Sequence, residues 1–319
     1  MLKLTYGKNY TAPIPVPTVG WEMGVEVDSV PDTRSFDISS GTGIDVDVDW
    51  GDGSLVETFT TAGTKAHEFA STGTYTIKLS GGFSGNDGKL VVGELKPIST
   101  GVIPYMGISS FAYVFAYCPS LTSIPSGLFD NNTSVTSFST AFLGCTSITE
   151  IPDGLFDNNT SVTDFGGTFA LTDITSIPTG LFDNNIWATD FSSCFYGTSV
   201  TGVPTDLFKN CYDAETFEGC FYDCSDLTTI PSKLFNNLLQ AKYFGSCFNS
   251  CTSLGAIPTD LFDDSSGGID TLDRCFYNCH SVTSSVPELW VYQHGALHTD
   301  CFYNCTSATN YGDIPYDWK

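Results

Sequence analysis

Phe142-Leu-Gly-Cys145-Thr-Ser-Ile148-Thr-Glu-Ile151-Pro152-Asp-Gly-Leu155-Phe156-Asp-Asn-Asn-Thr-Ser-Val162-Thr-Asp-Phe165 is one unit of a pattern that starts again at Phe169. The leading Phe recurs as Phe115, Phe142, Phe169, Phe195, Phe221, Phe248, Phe276 and Phe302, at intervals of 26 to 28 residues. Three residues later stands Cys or Thr: Cys118, Cys145, Thr172, Thr198, Cys224, Cys251, Cys279 and Cys305. A fixed period of this length predicts a solenoid of about eight coils, each burying its apolar residues only by stacking on its neighbours.

Within a unit, the Leu/Ile-Thr-x-Ile-Pro segment is short, rich in β-branched residues and stopped by Pro, which predicts the parallel strand of each coil. The Pro-x-x-Leu-Phe segment predicts a short helical turn with Pro near its start, broken by Asp-Asn-Asn at 130–132, 157–159 and 183–185. The Val-Thr-x-Phe-x-x-x-Phe segment spaces apolar residues at i, i+3 and i+7, which predicts a short helix on the convex side. The last unit departs from the pattern. His298 replaces the first Phe, and Trp290-Val-Tyr-Gln-His294 replaces the Leu-Phe-Asp-Asn-Asn segment. Those changes suit a C-terminal cap, because a terminal repeat needs an outer face that tolerates water.

Upstream of the repeats, Ile44-Asp-Val-Asp-Val-Asp-Trp50 alternates strictly, with Val46, Val48 and Trp50 on one face and Asp45, Asp47 and Asp49 on the other. Gly51-Asp52-Gly53 turns the chain, and Tyr75, Ile77 and Leu79 share a face of a later strand. Residues 20–97 therefore read as a small β-sandwich, with Lys89–Ile98 as a strand linking it to the repeats at 98–319. Residues 1–19 read as an extended arm stiffened by Pro13, Pro15 and Pro17. Such an arm orders only when docked, so a partner or neighbouring subunit is expected to hold it. The fold class expected is mainly β with short helices.

Composition limits the partners. The net charge of −24 argues against nucleic acid and anionic membrane surfaces, both of which call for clustered Lys and Arg. No apolar run approaches the roughly 18 residues of a membrane span. The first ten residues hold no apolar core of signal-peptide length. The expectation is a protein not exported by that route, or one whose leader was removed.

Eleven of the twelve cysteines fall on two register positions, three after the Phe or just before it (Cys194, Cys220, Cys247, Cys275, Cys301). Four Cys-x-x-x-Cys pairs raise the possibility of zinc or disulfides. The same positions elsewhere hold Thr172, Thr198, Val114, Ala141 and Thr168, which neither ligate nor bridge. A ladder of small buried side chains fits better, with Cys or Thr donating to an otherwise unpaired carbonyl. Its rungs are Cys118, Cys145, Cys224, Cys251, Cys279 and Cys305. Cys211 falls off this register, at the place of Asn132, and is expected to be exposed.

Two binding sites are candidates. Asp45, Asp47, Asp49 and Asp52 supply oxygen ligands suited to Ca²⁺, or form a solvated strand face or charged edge that blocks edge pairing. Tyr196, Tyr222, Tyr277 and Tyr303 follow the register Phe, with Asn249 interrupting and Asp223, Asn278 and Asn304 beside them. They form a ligand-binding stripe for sugar rings or a protein patch, or they cover the convex side. No cofactor is expected. No nucleophile elbow, Walker loop or His-Glu-x-x-His helix is present, and His67, His280, His294 and His298 are scattered.

Two resemblances follow from these residues. Val48-Asp-Trp-Gly-Asp-Gly53, His67-Glu-Phe69 and Gly73-Thr-Tyr-Thr-Ile77 resemble the PKD-type immunoglobulin-like domain, in which this motif builds the sandwich and is not catalytic. Residues 105–315, with Phe-x-x-Cys-x-x-Leu-x-x-Ile-Pro, resemble the BspA-like leucine-rich repeats of bacterial and phage surface proteins. The resemblance implies recognition or adhesion rather than catalysis. The expected role is a non-enzymatic phage virion component, a head decoration or tail adhesin. Its arm and sandwich would dock on other virion or surface proteins, and its repeats would face host glycans or proteins, with self-association open. The alternatives are a bacterial cell-surface adhesin whose export signal was removed and, more remotely, a glycan-active enzyme.

Overall fold

The computed structural model describes residues 20–262, 268–293 and 295–319. The arm expected at 1–19 and His294 lie outside the described residues. The protein is mainly β. Its first part contains two sheets. The larger has the order β4 (Glu57–Phe59), β3 (Ile44–Asp49), β6 (Gly73–Phe83), β1 (Trp21–Val27) and β8 (Pro97–Thr100), all antiparallel. The smaller has the order β5 (Gly63–Phe69), β2 (Asp32–Ser40), β7 (Gly88–Val91) and β9 (Ile108–Ser110).

The strict alternation of β1 buries Trp21, Met23, Val25 and Val27, and that of β3 buries Val46 and Val48. Phe36 of β2 meets Trp50, just past the end of β3, and Phe59 of β4, so the two sheets share a core. The buried Arg34 donates to the carbonyls of Glu26 and Leu95 and pairs with Asp32, which satisfies its charge inside that packing. The stretch Lys89–Ile98 is not a linker. It enters β7, a three-residue 3-10 turn (Gly93–Leu95) and the start of β8. The expected boundary at 97 therefore falls at the start of a paired strand, and the sheets extend to Ser110.

The motif residues of the first part form one cluster. Trp50 stacks on His67 at 4.8 Å. Its Nε1 donates to Glu57 Oε1, and the His67 ring pairs with Asp52 Oδ2 at 2.8 Å. Hydrogen bonds from the Ser54 side chain and N–H, joined by His67, hold the Asp52 carboxyl down to about 2.

β9 pairs in parallel with β7 on one side and, at Ser110, with Ser137 on the other. From there a single line of parallel bridges runs Ser137, Asp164, Asp190, Thr216, Tyr243, Thr271 and Leu297. The smaller sheet thus continues directly into the repeats.

Each repeat carries two successive tight turns, the first opened by Phe (by Leu272 and His298 in the last two repeats) and the second Phe-x-x-Cys/Thr, closed by bonds such as Val114 N–H to Phe111 O and Cys118 N–H to Phe115 O. The third residue of each turn has positive φ in every repeat, as at Tyr113 and Tyr117, Thr140 and Gly144, and Arg274 and Asn278. The N–H groups in between point along the stack. Phe111, Tyr113, Phe115 and Tyr117 donate to Ser137, Ser139, Ala141 and Leu143, and the same four bonds recur at all seven junctions.

This geometry overturns the convex-side helix expected for Val-Thr-x-Phe-x-x-x-Phe. The spacing of the two Phe residues suits a helix, but two left-handed residues per repeat make one impossible. Among the described residues the only α-helix is the single turn Leu289–Tyr292. The parallel pairing is likewise concentrated in this segment. The Leu/Ile-Thr-x-Ile segment, expected to be the strand, forms bridges only along Gly202, Thr229 and Ala256. Pro-x-x-Leu-Phe closes a tight turn, Leu128 N–H to Pro125 O, and not a helix. Among the described residues no helix is long and apolar enough to cross a membrane.

Stacking brings the register Phe rings into a column from Phe115 to Phe302 with centroids 5.4 to 5.7 Å apart. Phe111 to Phe244 and Phe129 to Phe262 make two further columns. Trp21 of β1 closes the first column edge-on at 5.7 Å. At the far end Trp318 stacks on Phe302 and on His298, with Trp290 edge-on to both Phe302 and Trp318. The cap expected from Trp290 and His298 is therefore completed by Trp318, whose carbonyl accepts from Phe302 N–H.

Truncating the middle of the column, Phe221→Ala, is predicted to cost about 3–5 kcal/mol, read from urea unfolding midpoints. Asp52 gives a pH prediction. Because its carboxyl is held below the ordinary 3.8, its contribution is present above that value and fades as pH falls toward about 2. The Asp52→Asn variant should show a shallower loss of stability over this window in acid titrations of the unfolding midpoint.

Candidate functional site

The repeat face that carries the Tyr residues contains a groove of about 710 Å³. It spans five repeats, from Ser193 to Thr299, and is built from outward positions of the double turn. Tyr196 and Tyr222 form one wall, with rings 5.1 Å apart. Asp273, Arg274 and Thr299 lie at the other end. The floor is Gly219, Gly245 and Ser246, flanked by Glu218 and Thr271.

The floor is low because of what replaces larger groups. A Cβ at Gly245 would stand 3.5 Å from Glu218 Oε1, 3.7 Å from Thr271 Oγ1 and 3.8 Å from Asp273 O. A carboxylate oxygen, a hydroxyl and a backbone carbonyl, the last already bonded to Ser246 N–H, therefore border the place a side chain at 245 would take. Asn249, at the Tyr register position, is buried and turned back on its neighbours. Its Nδ2 faces Ser246 Oγ at 3.4 Å, and its Oδ1 accepts from Ser250 Oγ.

The expected stripe of four Tyr residues is thus two pairs. Tyr196 and Tyr222 line the groove. Tyr277 and Tyr303 stack at 4.8 Å, beyond the gap left by Asn249. Arg274 joins the two parts. Its guanidinium lies 6.0 Å over the Tyr277 ring and 3.8 Å from Asp300 while it lines the groove. The sequence reading missed Glu218, Gly245, Thr271, Asp273 and Arg274. Their signal was available: each occupies position −1, +1 or +2 relative to the first Phe of the double turn, and these positions vary in size and charge from repeat to repeat.

The aspartates expected to bind Ca²⁺ do not converge. Asp45, Asp47 and Asp49 are spread along β3, roughly 7 Å between alternate residues. Asp47 accepts from Thr58, Asp49 from Gly51 N–H, and Asp52 from Ser54 and His67. Among the described residues no group of three or more His, Cys, Asp or Glu side chains is placed to hold a metal. The carboxylates brace the strand edge and its turn.

The cysteine rungs point inward. Cys145, Cys224, Cys251, Cys279 and Cys305 each donate to the carbonyl of a Phe in the preceding repeat at 3.0 to 3.2 Å. Cys118 faces Gly93 O at 4.0 Å. Thr172 and Thr198 donate instead to the Phe carbonyl of their own repeat. All twelve cysteines are free and buried.

Cys211 is a correction: it is buried, not exposed. It continues a second ladder in which Asn159 Nδ2 donates to Phe129 O and Asn132 O, and Asn185 Nδ2 to Phe156 O and Asn159 O. Asn side chains read as a turn signal, yet here the amide answers buried carbonyls, and Cys211 inherits that enclosed place.

No family model matches the chain, and no curated protein matches it significantly.

Burial pushes the thiol of Cys224 up to about 11 and those of Cys211 and Cys305 up to about 12. Their raised values make the folded state fully favoured below the ordinary thiol value of 9.0, a preference lost as pH rises through 11 to 12. Unfolding midpoints should fall across this range, and less so in Cys224→Thr. A thiol-reactive dye should label none of the twelve cysteines at pH 7 until denaturant is added.

Proposed function

We propose that this chain is a non-enzymatic recognition protein displayed on a phage virion. In this reading the N-terminal sheets are an immunoglobulin-like sandwich of the PKD type. The repeats are a leucine-rich-repeat solenoid of the BspA-like type, with about eight coils. The observation that carries the reading is the groove with its Tyr wall, held open on a backbone whose every coil is bonded to the next. Loops that move would lose affinity to ordering, whereas this face is ordered before any ligand arrives.

The histidines support a non-catalytic role. His67 and His298 are stacked on Trp50 and Trp318 and paired with Asp52 and Asp317, so they serve packing. The thiols are all enclosed, which keeps them from meeting a substrate as nucleophiles. The cysteines also favour the virion over the exported adhesin. Twelve free thiols suit folding in a reducing cytoplasm, where virions assemble, and invite mispairing in an oxidising compartment.

Flow cytometry of the fluorescently labelled chain on a panel of intact bacterial cells and mucin-coated beads tests this role. Saturable binding is expected on at least one surface. It should weaken about tenfold in Tyr222→Ala and stay unchanged in Tyr316→Ala, which removes an exposed ring of the cap. Absence of binding on every surface would count against recognition.

A further inference from the structure

We infer that the groove between Tyr196 and Thr299 is a subsite for a neutral oligosaccharide. The inference rests on the recognition reading and names its ligand. Three observations on one surface lead to it.

The first is the wall. Tyr196 and Tyr222 present a tilted pair of half-buried rings, and an aromatic face receives the C–H face of a sugar ring while its hydroxyl edge stays wet. The second is the inventory of polar atoms around the floor. Glu218 Oε1, Thr271 Oγ1 and Asp273 O all surround the space above Gly245. The Asp273 carbonyl already accepts from Ser246 N–H and Thr271 Oγ1 from Asp273 N–H, so the Glu218 carboxylate, which only accepts, and the Thr271 hydroxyl, which can also donate, call for a ligand rich in O–H groups. The third is charge. Two carboxylates, Glu218 and Asp273, line the groove of a chain of net charge −24, and the one lining cation, Arg274, already lies over Tyr277 and near Asp300. Sialylated or sulfated sugars would meet repulsion there.

The repeat explains how the subsite arises. In neighbouring repeats a Tyr fills the position of Asn249. Asn249 turns inward and Gly245 has no side chain, so one coil is lowered between two aromatic pairs. Gly245 does not have the positive φ of the turn residues, and its Cβ contacts would be ordinary ones. A larger residue at 245 would fill the groove and leave the backbone ladder intact.

The test is isothermal titration calorimetry of the full chain with cellohexaose, maltohexaose, chitohexaose and mannohexaose. Sialyllactose serves as the anionic probe and hexalysine as the basic one. At least one neutral hexasaccharide should bind. Gly245→Trp should abolish that binding with circular dichroism unchanged, and Tyr222→Ala and Glu218→Gln should each weaken it about tenfold. Sialyllactose should not bind.

Three outcomes overturn the inference: no neutral hexasaccharide binds, binding survives both Gly245→Trp and Glu218→Gln, or sialyllactose binds equally well. Binding of hexalysine alone, lost in Glu218→Gln, would reassign the groove to a basic protein segment. The recognition reading is judged separately. If the Gly245→Trp chain still binds cells as wild type does, the groove is excluded and recognition stands. If wild type binds no cell or mucin surface, the wider reading falls.

Discussion

Backbone N–H groups that point along the stack, not along a helix, are the interaction on which this protein depends. Four of them at each junction, from the two Phe positions and the two positive-φ positions of the double turn, reach the next repeat. This arrangement needs two left-handed residues four positions apart in each double turn, and a bulky residue there, such as Thr140 or Leu171, costs roughly 1–2 kcal/mol. The cost is met by what the same geometry permits. Phe rings one repeat apart come into contact in three columns, and the Cys and Asn side chains give a second donor to buried Phe carbonyls that already close the turns.

A stack of this kind has two ends, and each exposes groups that the next repeat would have covered. At the start, β7 supplies the pairing and Trp21 covers Phe115, so the sheets act as the N-terminal cap of the stack. At the finish, Trp318 supplies both a ring for Phe302 and a carbonyl for its N–H. The two tryptophans are far apart in sequence and close opposite ends of the same Phe column.

The same regularity makes a surface on which small departures have large effects. Inward positions are held to Phe, Cys, Thr or Asn by packing and by buried carbonyls. Outward positions are free to vary, and there Gly245, at the position that Glu218 and Asp273 hold in the adjacent repeats, together with Asn249 at the Tyr position, lowers one repeat. The groove is therefore a local loss of side-chain volume on an unchanged backbone. The side chains that line it contribute nothing to the columns.

The period, the Phe register, the cysteine rungs and the alternating strands were legible in the amino-acid sequence because each is set by local spacing and by residue type. So was the Tyr series, since every member follows a register Phe. The direction of the turns was not. The Phe spacing fits a helix equally well, and only pairing with a repeat 26 to 28 residues away selects the left-handed alternative. The frequent Gly, Asn and Asp at those positions were the available hint. Cys211 and the Asn ladder were misread for a related reason: whether a polar side chain is exposed depends on carbonyls contributed by another repeat. The sequence by itself determined what repeats and which faces are apolar. Tertiary structure alone decided that the smaller sheet runs on into the repeats, that Trp318 closes the column, and that the outward residues of five repeats converge on one groove, because each depends on contacts between residues distant along the chain.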